Sequence, residues 1–331
     1  MNSPKMKLPL QNLVSLLCLA LALPVSAQER VFPTAQEIER KFGAEVEYHF
    51  DQPYASNTNQ KQMLDLFLPK NRTTDQPLPV IVFIHGGGWK GGDRKRAAAL
   101  VAEHARSGNY AGVTINYRLS DEAKWPAQIH DCKAAIRWIR GHAKEFNLDP
   151  NRIGVQGGSA GGHLATLVGL SGDSQELEGD VGDFKGLSSR VACIVNYCGP
   201  SDLTQPLMQG EAALSDDPAV TGLLGSSLQE GLNAAKAASP INYVTADDPP
   251  LLIVHGTKDQ RVDFQHALRL DAAMKKAQAS SILIAVTDGG HGIQGGVELS
   301  NRVMQFFDLK LRGVPTEISA APVPNQPPPE K

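Results

Sequence analysis

Cysteine is scarce in this chain, which has four in 331 residues, one of them (Cys18) in an N-terminal apolar segment. Cys193 and Cys198 fall in one predicted strand, where five residues span about 16 Å. A disulfide needs Cα atoms within about 7 Å, so we expect no bridge between this pair. We interpret these two and Cys132 as small buried apolar groups. The sequence has neither a C-x-x-C pair nor a histidine cluster, so it indicates neither a metal site nor a cofactor.

Long apolar runs and blocks of a single charge are also missing. The formal net charge is −3, from 32 Lys and Arg against 35 Asp and Glu. Because no basic block rises above this background, the sequence does not predict a nucleic-acid partner. The apolar run Leu13–Leu23 is shorter than the roughly 20 residues that a membrane-spanning helix needs. A length of 331 residues suits one α/β domain with insertions, or two small domains.

The first 27 residues have the pattern of a secretory signal peptide. Lys5 and Lys7 precede the apolar run Leu13–Leu23, and small residues end the segment at Ala27. We predict cleavage after Ala27, a secreted or periplasmic protein, and no stable membrane association afterwards. An uncleaved anchor is the alternative.

The rest of the chain alternates strand and helix patterns. Buried runs such as Pro79–His85 are typical of strands covered on both faces. The predicted strands are 46–50, 62–68, 79–85, 111–117, 152–157, 191–197, 250–255 and 282–286, the first two forming an edge hairpin. The predicted helices are 34–42, 96–107, 126–143, 264–277 and 297–310, and a further helical pattern starts with 164–168. This order predicts an α/β fold with a mostly parallel central sheet flanked by helices.

Two segments interrupt the alternation or follow it. Residues 203–239 hold polar patches and weak helical patterns, and we predict a small cap insertion there, with a surface excursion as the alternative. Residues 313–331 hold six prolines. We predict a disordered proline-rich tail there, after one catalytic domain over 28–312.

The clearest chemical motif is Gly157-x-Ser159-x-Gly161, between a predicted strand and a predicted helix. A serine on a sharp strand-to-helix turn has its hydroxyl exposed above the sheet, and flanking glycines avoid collisions in that turn. The spacing predicts that Ser159 is a nucleophile.

A serine nucleophile needs a base, and the base needs an acid to orient it. His291 lies in a glycine-rich loop after the last predicted strand, and Asp259 follows the strand before it. We assign His291 as base and Asp259 as acid. Asp263 and Asp288 are rival acids.

The run His85-Gly86-Gly87-Gly88 predicts an oxyanion hole, because glycines let backbone N–H groups approach a substrate oxygen. We assign the N–H groups of Gly87, Gly88 and Ala160 to it. The loss of one such donor typically costs about 3 kcal/mol of transition-state stabilisation. We predict that Trp89 binds substrate, with covering the loop as the alternative. His85 is expected to brace the loop, and the other histidines, His163 and His255 among them, are interpreted as structural.

Together these motifs resemble the α/β-hydrolase superfamily, over residues 60–310. The closest likeness is to secreted bacterial carboxylesterases of the hormone-sensitive-lipase-like and feruloyl or acetylxylan esterase-like (BD-FAE-like) group. The segments His255-Gly256-Thr257-Lys258-Asp259 and Gly290-His291-Gly292 match that group's acid and base segments. One departure is Gly158, where many members of the hormone-sensitive-lipase branch have Asp.

The resemblance implies a secreted serine ester hydrolase that works through an acyl-enzyme without metal or cofactor. The expected substrates are small-molecule esters or esters linked to polysaccharides, such as acetyl or feruloyl esters. One alternative is a prolyl-oligopeptidase-type serine peptidase, which usually carries a gating domain too large for residues 27–60. Another is a non-catalytic hydrolase-fold binding protein, which normally has a broken triad. The oligomeric state is open.

Overall fold

The apolar runs pair into one sheet, which the computed structural model describes within residues 34–172, 174–208, 216–293 and 295–326. Its strands are β1 (Val46–Pro53), β2 (Met63–Pro69), β3 (Leu78–Ile84), β4 (Ala111–Ile115), β5 (Leu148–Gly158), β6 (Cys193–Tyr197), β7 (Leu251–Gly256), β8 (Ser281–Thr287) and β9 (Val323–Pro324). They lie side by side in the order β1-β2-β4-β3-β5-β6-β7-β8-β9. The pairs β1–β2 and β2–β4 are antiparallel and the others are parallel. The predicted edge hairpin and the mostly parallel sheet are confirmed.

Helices cover both faces of this sheet. They are α1 (Ala35–Phe42), α2 (Ala98–Arg106), α3 (Ala127–Gly141), α4 (Ala160–Leu170), α5 (Gln175–Glu178), α6 (Pro218–Leu224), α7 (Leu232–Ala237), α8 (Gln265–Lys276) and α9 (Gly296–Phe307). Val80 and Val82 of β3 belong to the same apolar cluster as Ile136 of α3. Ile81, which lies between them, belongs to the cluster on the opposite face with Phe306 of α9. Full burial of such a side chain stabilises the fold by about 1.5–3 kcal/mol, which explains the unbroken apolar run.

One predicted helix begins differently in the structure. The helix expected from residue 96 is preceded by a 3-10 turn, Arg94–Ala97. The carboxylate of Asp93 accepts the N–H of Lys95 at 3.0 Å and caps that turn. Regular α-helix begins at Ala98.

The proline-rich tail differs more clearly from its prediction. The structure describes residues 313–326 as an ordered segment, and β9 pairs with the edge strand β8 through Val286 and Val323. Val323 is 1% exposed and packs in the α9 cluster. The prediction of disorder used the amino-acid composition of the whole segment. The buried side chain of Val323, and an edge position of the sheet that tolerates Pro324, nevertheless dock it. Residues 327–331 lie outside the described residues.

Two further predictions concern segments that the structure describes in part or not at all. The signal segment 1–27 lies outside the described residues, so its cleavage stays a prediction. The cap segment 203–239 contains α6 and α7, with residues 209–215 outside the description. A Cβ on Gly88 would lie 3.4 Å from the Cβ of Ala219, so α6 packs beside the loop after β3. None of the described helices is long and apolar enough to cross a membrane.

Candidate active site

Ser159 is the one residue between the end of β5 and the start of α4. Its backbone has φ 57° and ψ −126°, a conformation that is strained for a residue with a side chain. Its N–H donates to the carbonyl of Tyr197 on the neighbouring strand at 2.8 Å, which fixes the turn. Strain of this kind is sustained only where the surrounding structure enforces it. The turn has the geometry that the glycine–serine motif predicts.

The flanking glycines are required by close backbone contacts. A Cβ on Gly157 would lie 2.3 Å from the carbonyl oxygen of Gly161, and one on Gly161 would lie 2.1 Å from that of Ile84. Neither distance is compatible with a side chain. Gly158 differs, because its Cβ would meet nothing nearer than 3.9 Å. This position can therefore accept a side chain, which agrees with its being the variable site of the motif.

Three side chains from separate loops meet in a hydrogen-bonded chain. Ser159 Oγ lies 2.9 Å from His291 Nε2, and His291 Nδ1 lies 2.8 Å from Asp259 Oδ2. Because a carboxylate can only accept, Nδ1 carries a proton and Nε2 is left to accept the serine hydroxyl proton. The structure thus brings together all three residues assigned from the sequence, in the orientation that a serine nucleophile requires.

Asp259 is buried and accepts four N–H groups. Its Oδ1 accepts the backbone N–H groups of Arg261 at 2.8 Å and Val262 at 2.9 Å. Its Oδ2 lies near the rings of His291 and, at 3.2 Å, His255. Burial alone would raise the pKa of Asp259, but these hydrogen bonds outweigh it and hold the pKa far below its usual value. The carboxylate therefore stays ionised across the range in which a histidine base works.

The rival acids have other partners. Asp263 Oδ1 accepts the N–H of Gln265 at 2.9 Å, at the start of α8. Asp288 forms an exposed ion pair with Lys258 at 2.7 Å. Within the part of the chain that the structure describes, neither carboxylate contacts a histidine ring, so the geometry favours Asp259.

His255 is a partner of the acid that sequence reasoning did not identify. Its Nε2 lies 2.8 Å from the carbonyl of Val262 and 3.2 Å from Asp259 Oδ2. Both neighbours are acceptors, so Nε2 carries the proton and donates to both. Its buried Nδ1 has no partner among the described residues. The sequence feature that could have indicated this contact is the spacing of four residues between His255 and Asp259 across a tight turn.

The loop that follows β3, residues 86–92, is called the oxyanion loop here. Gly87 has φ 125° and Gly88 has φ 60°, and a Cβ on Gly87 would lie 2.2 Å from the carbonyl oxygen of Gly91. The carbonyl of Gly87 is turned inward, where it accepts the N–H of Gly91 at 3.0 Å. Within the described residues, the N–H groups of Gly87 and Gly88 have no acceptor. Ala160 is the first residue of α4, and the first N–H groups of a helix have no intrahelical acceptor.

These donors belong to a loop that packs directly on the serine turn. A Cβ on Gly86 would lie 2.5 Å from the carbonyl oxygen of Gly158 and 3.2 Å from Ser159 Cβ. The three N–H groups assigned from the sequence therefore belong to segments in contact with the nucleophile. An oxygen that becomes negative beside Ser159 is the species such donors stabilise.

His85 braces the oxyanion loop, as predicted. Its Nδ1 donates to the carbonyl of Gly86 at 2.9 Å, and its ring stacks on Tyr117 with centroids 4.4 Å apart. The Tyr117 hydroxyl in turn donates to the His85 carbonyl at 3.0 Å. Burial lowers the pKa of His85 to about 4, so the ring is neutral at ordinary pH.

Trp89 is placed differently from its prediction as a substrate-binding residue. It is 1% exposed, and its indole N–H donates to His163 Nδ1 at 3.2 Å. His163 Nε2 donates to the carbonyl of Ala238 at 2.6 Å. Trp89 therefore joins the oxyanion loop to α4 and to the end of α7, and it has almost no free surface for a substrate. The alternative of covering the loop fits this geometry.

Cys198 lies against the same cluster. The ligand atoms of Cys198, Asp259 and His291 lie within 4.8 Å of one another, a spacing that could hold a metal ion. Burial, followed by the nearby charge of Asp259, raises the pKa of Cys198 to about 12, so the thiol stays protonated. Since Asp259 is already saturated by N–H donors, this set does not fit a metal. In the described residues, Cys132, Cys193 and Cys198 are free and buried, as expected.

Known proteins match this chain over most of its length. The BD-FAE family model matches residues 64–274, more than half of the chain. Esterase LipQ of Mycobacterium tuberculosis is 31% identical over 254 residues, which are 76% of this chain and 58% of LipQ. The chain thus spans less than two thirds of that relative's length.

Solved structures share the architecture. A truncated form of a carbohydrate esterase from gut microbiota has a TM-score of 0.74 at 31% identity, covering 81% of this chain and 97% of that one. The native Est2 esterase of Thermogutta terrifontis has a TM-score of 0.63 at 26% identity, covering 80% and 92%.

Proposed function

Since the chain belongs to the BD-FAE family and has the α/β-hydrolase fold, we propose that it is a carboxylesterase with Ser159, His291 and Asp259 as its catalytic residues. The observation that carries the proposal is the hydrogen-bonded chain from Ser159 Oγ through His291 to Asp259. The names of the relatives, esterase and carbohydrate esterase, support the same reaction class.

The reaction follows from this geometry. Ser159 Oγ attacks the ester carbonyl carbon while His291 Nε2 takes the hydroxyl proton. The carbonyl oxygen becomes negative and accepts hydrogen bonds from the N–H groups of Gly87, Gly88 and Ala160. The bond to the alcohol oxygen breaks, and that oxygen takes the proton from His291, which leaves an acyl group on Ser159.

The second half of the reaction restores the enzyme. Water attacks the acyl carbon and gives its proton to His291 Nε2. The acid is released as the proton returns to Ser159 Oγ. Asp259 stays ionised throughout and stabilises the imidazolium that forms twice in each cycle.

The test is hydrolysis of p-nitrophenyl acetate, butyrate and octanoate by the full chain and by Ser159→Ala. Loss of the serine from such a triad costs on the order of a million-fold in kcat. We expect the variant to fall to the background rate while its thermal unfolding stays close to that of the parent. A folded parent that turns over none of these esters would overturn the proposal.

We further propose that the natural substrates are acetyl or feruloyl esters of polysaccharides. The support is the carbohydrate esterase among the structural neighbours and the export pattern of residues 1–27. Acetylated xylan and feruloylated arabinoxylan would be compared with the p-nitrophenyl esters by release of acetate and ferulate. Turnover of the p-nitrophenyl esters alone would contradict this proposal and indicate a general short-chain esterase.

The export pattern also supports a secreted or periplasmic location. The measurement is the N-terminal sequence of the protein recovered outside the cytoplasm, which we expect to begin at Gln28. Retention of the full-length chain in the cytoplasm would contradict this proposal.

A further inference from the structure

We propose that the C-terminal segment 314–326, called the tail segment here, is a positioning element for His291. It contacts the residues on both sides of the loop 288–295, called the histidine loop, which connects β8 to α9 and carries the base; residue 294 of this loop lies outside the described residues. The inference rests on the triad proposed above. The tail segment lies outside the residues 64–274 that match the family.

The first contact is at the end of β8. There Val286 pairs with Val323, and Thr287, the last residue before the histidine loop, pairs with Pro324. The N–H of Asn325 donates to the carbonyl of Thr287 at 3.1 Å. Because the side chain of Val323 is 1% exposed in the α9 cluster, burial adds to these backbone contacts.

The second contact is at the start of α9. Gly296, the first residue of that helix, has φ 62°, and a Cβ there would lie 2.1 Å from Gln326 Oε1. Six residues further along α9, nearly two turns, the guanidinium of Arg302 donates to the carbonyls of Ser319, at 3.2 Å, and Ala321. The same short segment therefore contacts the residue before the histidine loop and the residue after it.

The histidine loop is open at its centre, around the base. His291 has a side chain that is 30% exposed, and a Cβ on Gly290 or Gly292 would meet nothing within 4 Å. From the side of the acid, the N–H of Lys258 donates to the carbonyl of Gly289 at 2.9 Å and the N–H of Asp288 donates to Thr257 Oγ1 at 2.9 Å. The Cys198 thiol lies 3.5 Å from the carbonyl of His291. Without the tail segment the loop would keep these contacts but lose those that flank it at Thr287 and Gly296, and His291 Nε2 would be held less firmly at 2.9 Å from Ser159 Oγ.

A displaced base lowers the rate of proton transfer. A shift of 1 Å in a catalytic group can cost on the order of 100-fold in rate. None of the tail contacts described above involves the oxyanion loop, so substrate binding should change little. Loss of the tail segment is therefore expected to lower kcat by roughly 10- to 100-fold, with KM changed by less than about two-fold.

The experiment compares the full chain with one that ends at Gly313 and one that ends at Gln326. The chain ending at Gln326 is the matched control, because it keeps every contact described above. For each we would measure thermal unfolding, kcat and KM with p-nitrophenyl acetate, and the fraction of Ser159 that reacts with a fluorophosphonate. We expect the control to match the full chain and the shorter chain to lose kcat per folded molecule. A folded shorter chain with unchanged kcat would overturn the inference.

A second pair of variants decides the matter if the shorter chain does not fold. Val323→Asp places a charge at a buried position of β9, whereas Val314→Asp places one at a position that is 39% exposed. Because Glu317 is exposed even in the docked tail, detachment would be read from cleavage at Glu317 by a glutamyl endopeptidase that is faster than in the parent. We expect Val323→Asp to be cleaved faster and to lose kcat with KM nearly unchanged, and Val314→Asp to keep kcat. A folded Val323→Asp that is cleaved faster but keeps the parent's kcat would overturn the inference.

Failure of this inference and failure of the proposed function give different results. If the chain is not an esterase, the full chain and the control ending at Gln326 are both inactive. If the tail segment does not position His291, both of these and the shortened chain are equally active.

Discussion

The oxyanion loop and the histidine loop meet at Ser159 but are held in opposite ways. The oxyanion loop lies against the core, with Gly86 packed on Gly158, and both its own Trp89 and the adjacent His85 are buried. The histidine loop lies at the surface, and its base is part exposed. Backbone contacts hold it to the segment after β7 that carries Asp259 on one side, and to the tail segment on the other.

The difference corresponds to two kinds of chemical work. Donors that stabilise an oxyanion act through dipoles that must already be in place when the charge develops. A base has to accept a proton from Ser159, deliver it to a leaving alcohol and then accept one from water. The oxyanion loop, which supplies the fixed dipoles, is rigidly packed. The histidine loop, which carries the group that transfers protons, is more open.

The largest effect in this comparison is expected from the acid that orients the base. Asp259→Asn offers an N–H to His291 Nδ1, which forces the ring proton onto Nε2 and removes the acceptor for the Ser159 proton. We expect kcat to fall by roughly 10⁴-fold. The measurement is kcat for p-nitrophenyl acetate on protein shown to be folded by circular dichroism.

The matched control for the acid is Asp263→Asn, in the same loop. Asp263 Oδ1 accepts the N–H of Gln265 at 2.9 Å, a contact at the start of α8. We expect its kcat to stay within about two-fold of the parent, because surface capping contributes to stability and not to proton transfer. A large loss in Asp263→Asn with a small one in Asp259→Asn would reverse the assignment of the acid.

A smaller but still large effect is expected from the fixed dipoles. Gly87→Ala places a Cβ 2.2 Å from the carbonyl oxygen of Gly91, at a φ of 125° that side chains rarely adopt. The loop must move, and its N–H groups move with it. The loss of one oxyanion donor costs roughly 10²- to 10³-fold in kcat, and we expect a loss in that range.

Gly91→Ala provides the comparison within the same loop. The nearest atom to a Cβ at Gly91 is 3.9 Å away, so this methyl group fits without movement. We expect it to keep most of the parent kcat and KM. Equal losses of kcat in Gly87→Ala and Gly91→Ala would show that the oxyanion loop is sensitive to any added side chain. The loss in Gly87→Ala could then not be attributed to displaced N–H groups.

Much of the site could be predicted because its motifs are local and each one follows a strand. The glycines around Ser159 and in the oxyanion loop report backbone requirements that a sequence carries directly. His291 and Asp259 were identified because the carboxyl ends of parallel strands meet at one edge of a sheet. The two antiparallel strands of the hairpin were equally visible from their alternation.

The parts that could not be predicted depend on contacts between distant segments. Whether Trp89 faces a pocket or the core depends on His163, which lies far along the chain in α4. The contact of His255 with Asp259 depends on which ring nitrogen of His255 points into the turn. The tail was predicted to be disordered from its prolines, whereas it docks through contacts with distant segments: Val323 packs in the α9 cluster, Pro324 pairs with the edge strand β8, and Arg302 donates to its carbonyls.

The smallest effect concerns the histidines beneath the oxyanion loop, and it is an effect on stability at acid pH. Burial lowers the pKa of both His85 and His163 to about 4, from about 6.5 in an unfolded chain. Between these two values the unfolded state binds more protons than the folded state. Stability from these rings is therefore complete above pH 6.5 and decreases as the pH falls toward 4, by at most about 1.4 kcal/mol per pH unit for each ring.

His163→Gln tests this linkage, and Trp89→Phe is its control. Glutamine can occupy the site between Trp89 and Ala238 without titrating, so we expect the free energy of unfolding to depend less steeply on pH between 6.5 and 4. Trp89→Phe removes the same indole hydrogen bond but keeps the buried ring, so it should lower stability at every pH and leave the slope unchanged. Urea unfolding followed by circular dichroism at pH 7, 6 and 5 gives both quantities. If the free energy of unfolding of His163→Gln depended on pH as steeply as that of the parent, titration of this ring would not explain the acid sensitivity of the oxyanion loop. The contrast with the more open histidine loop would then be one of packing alone.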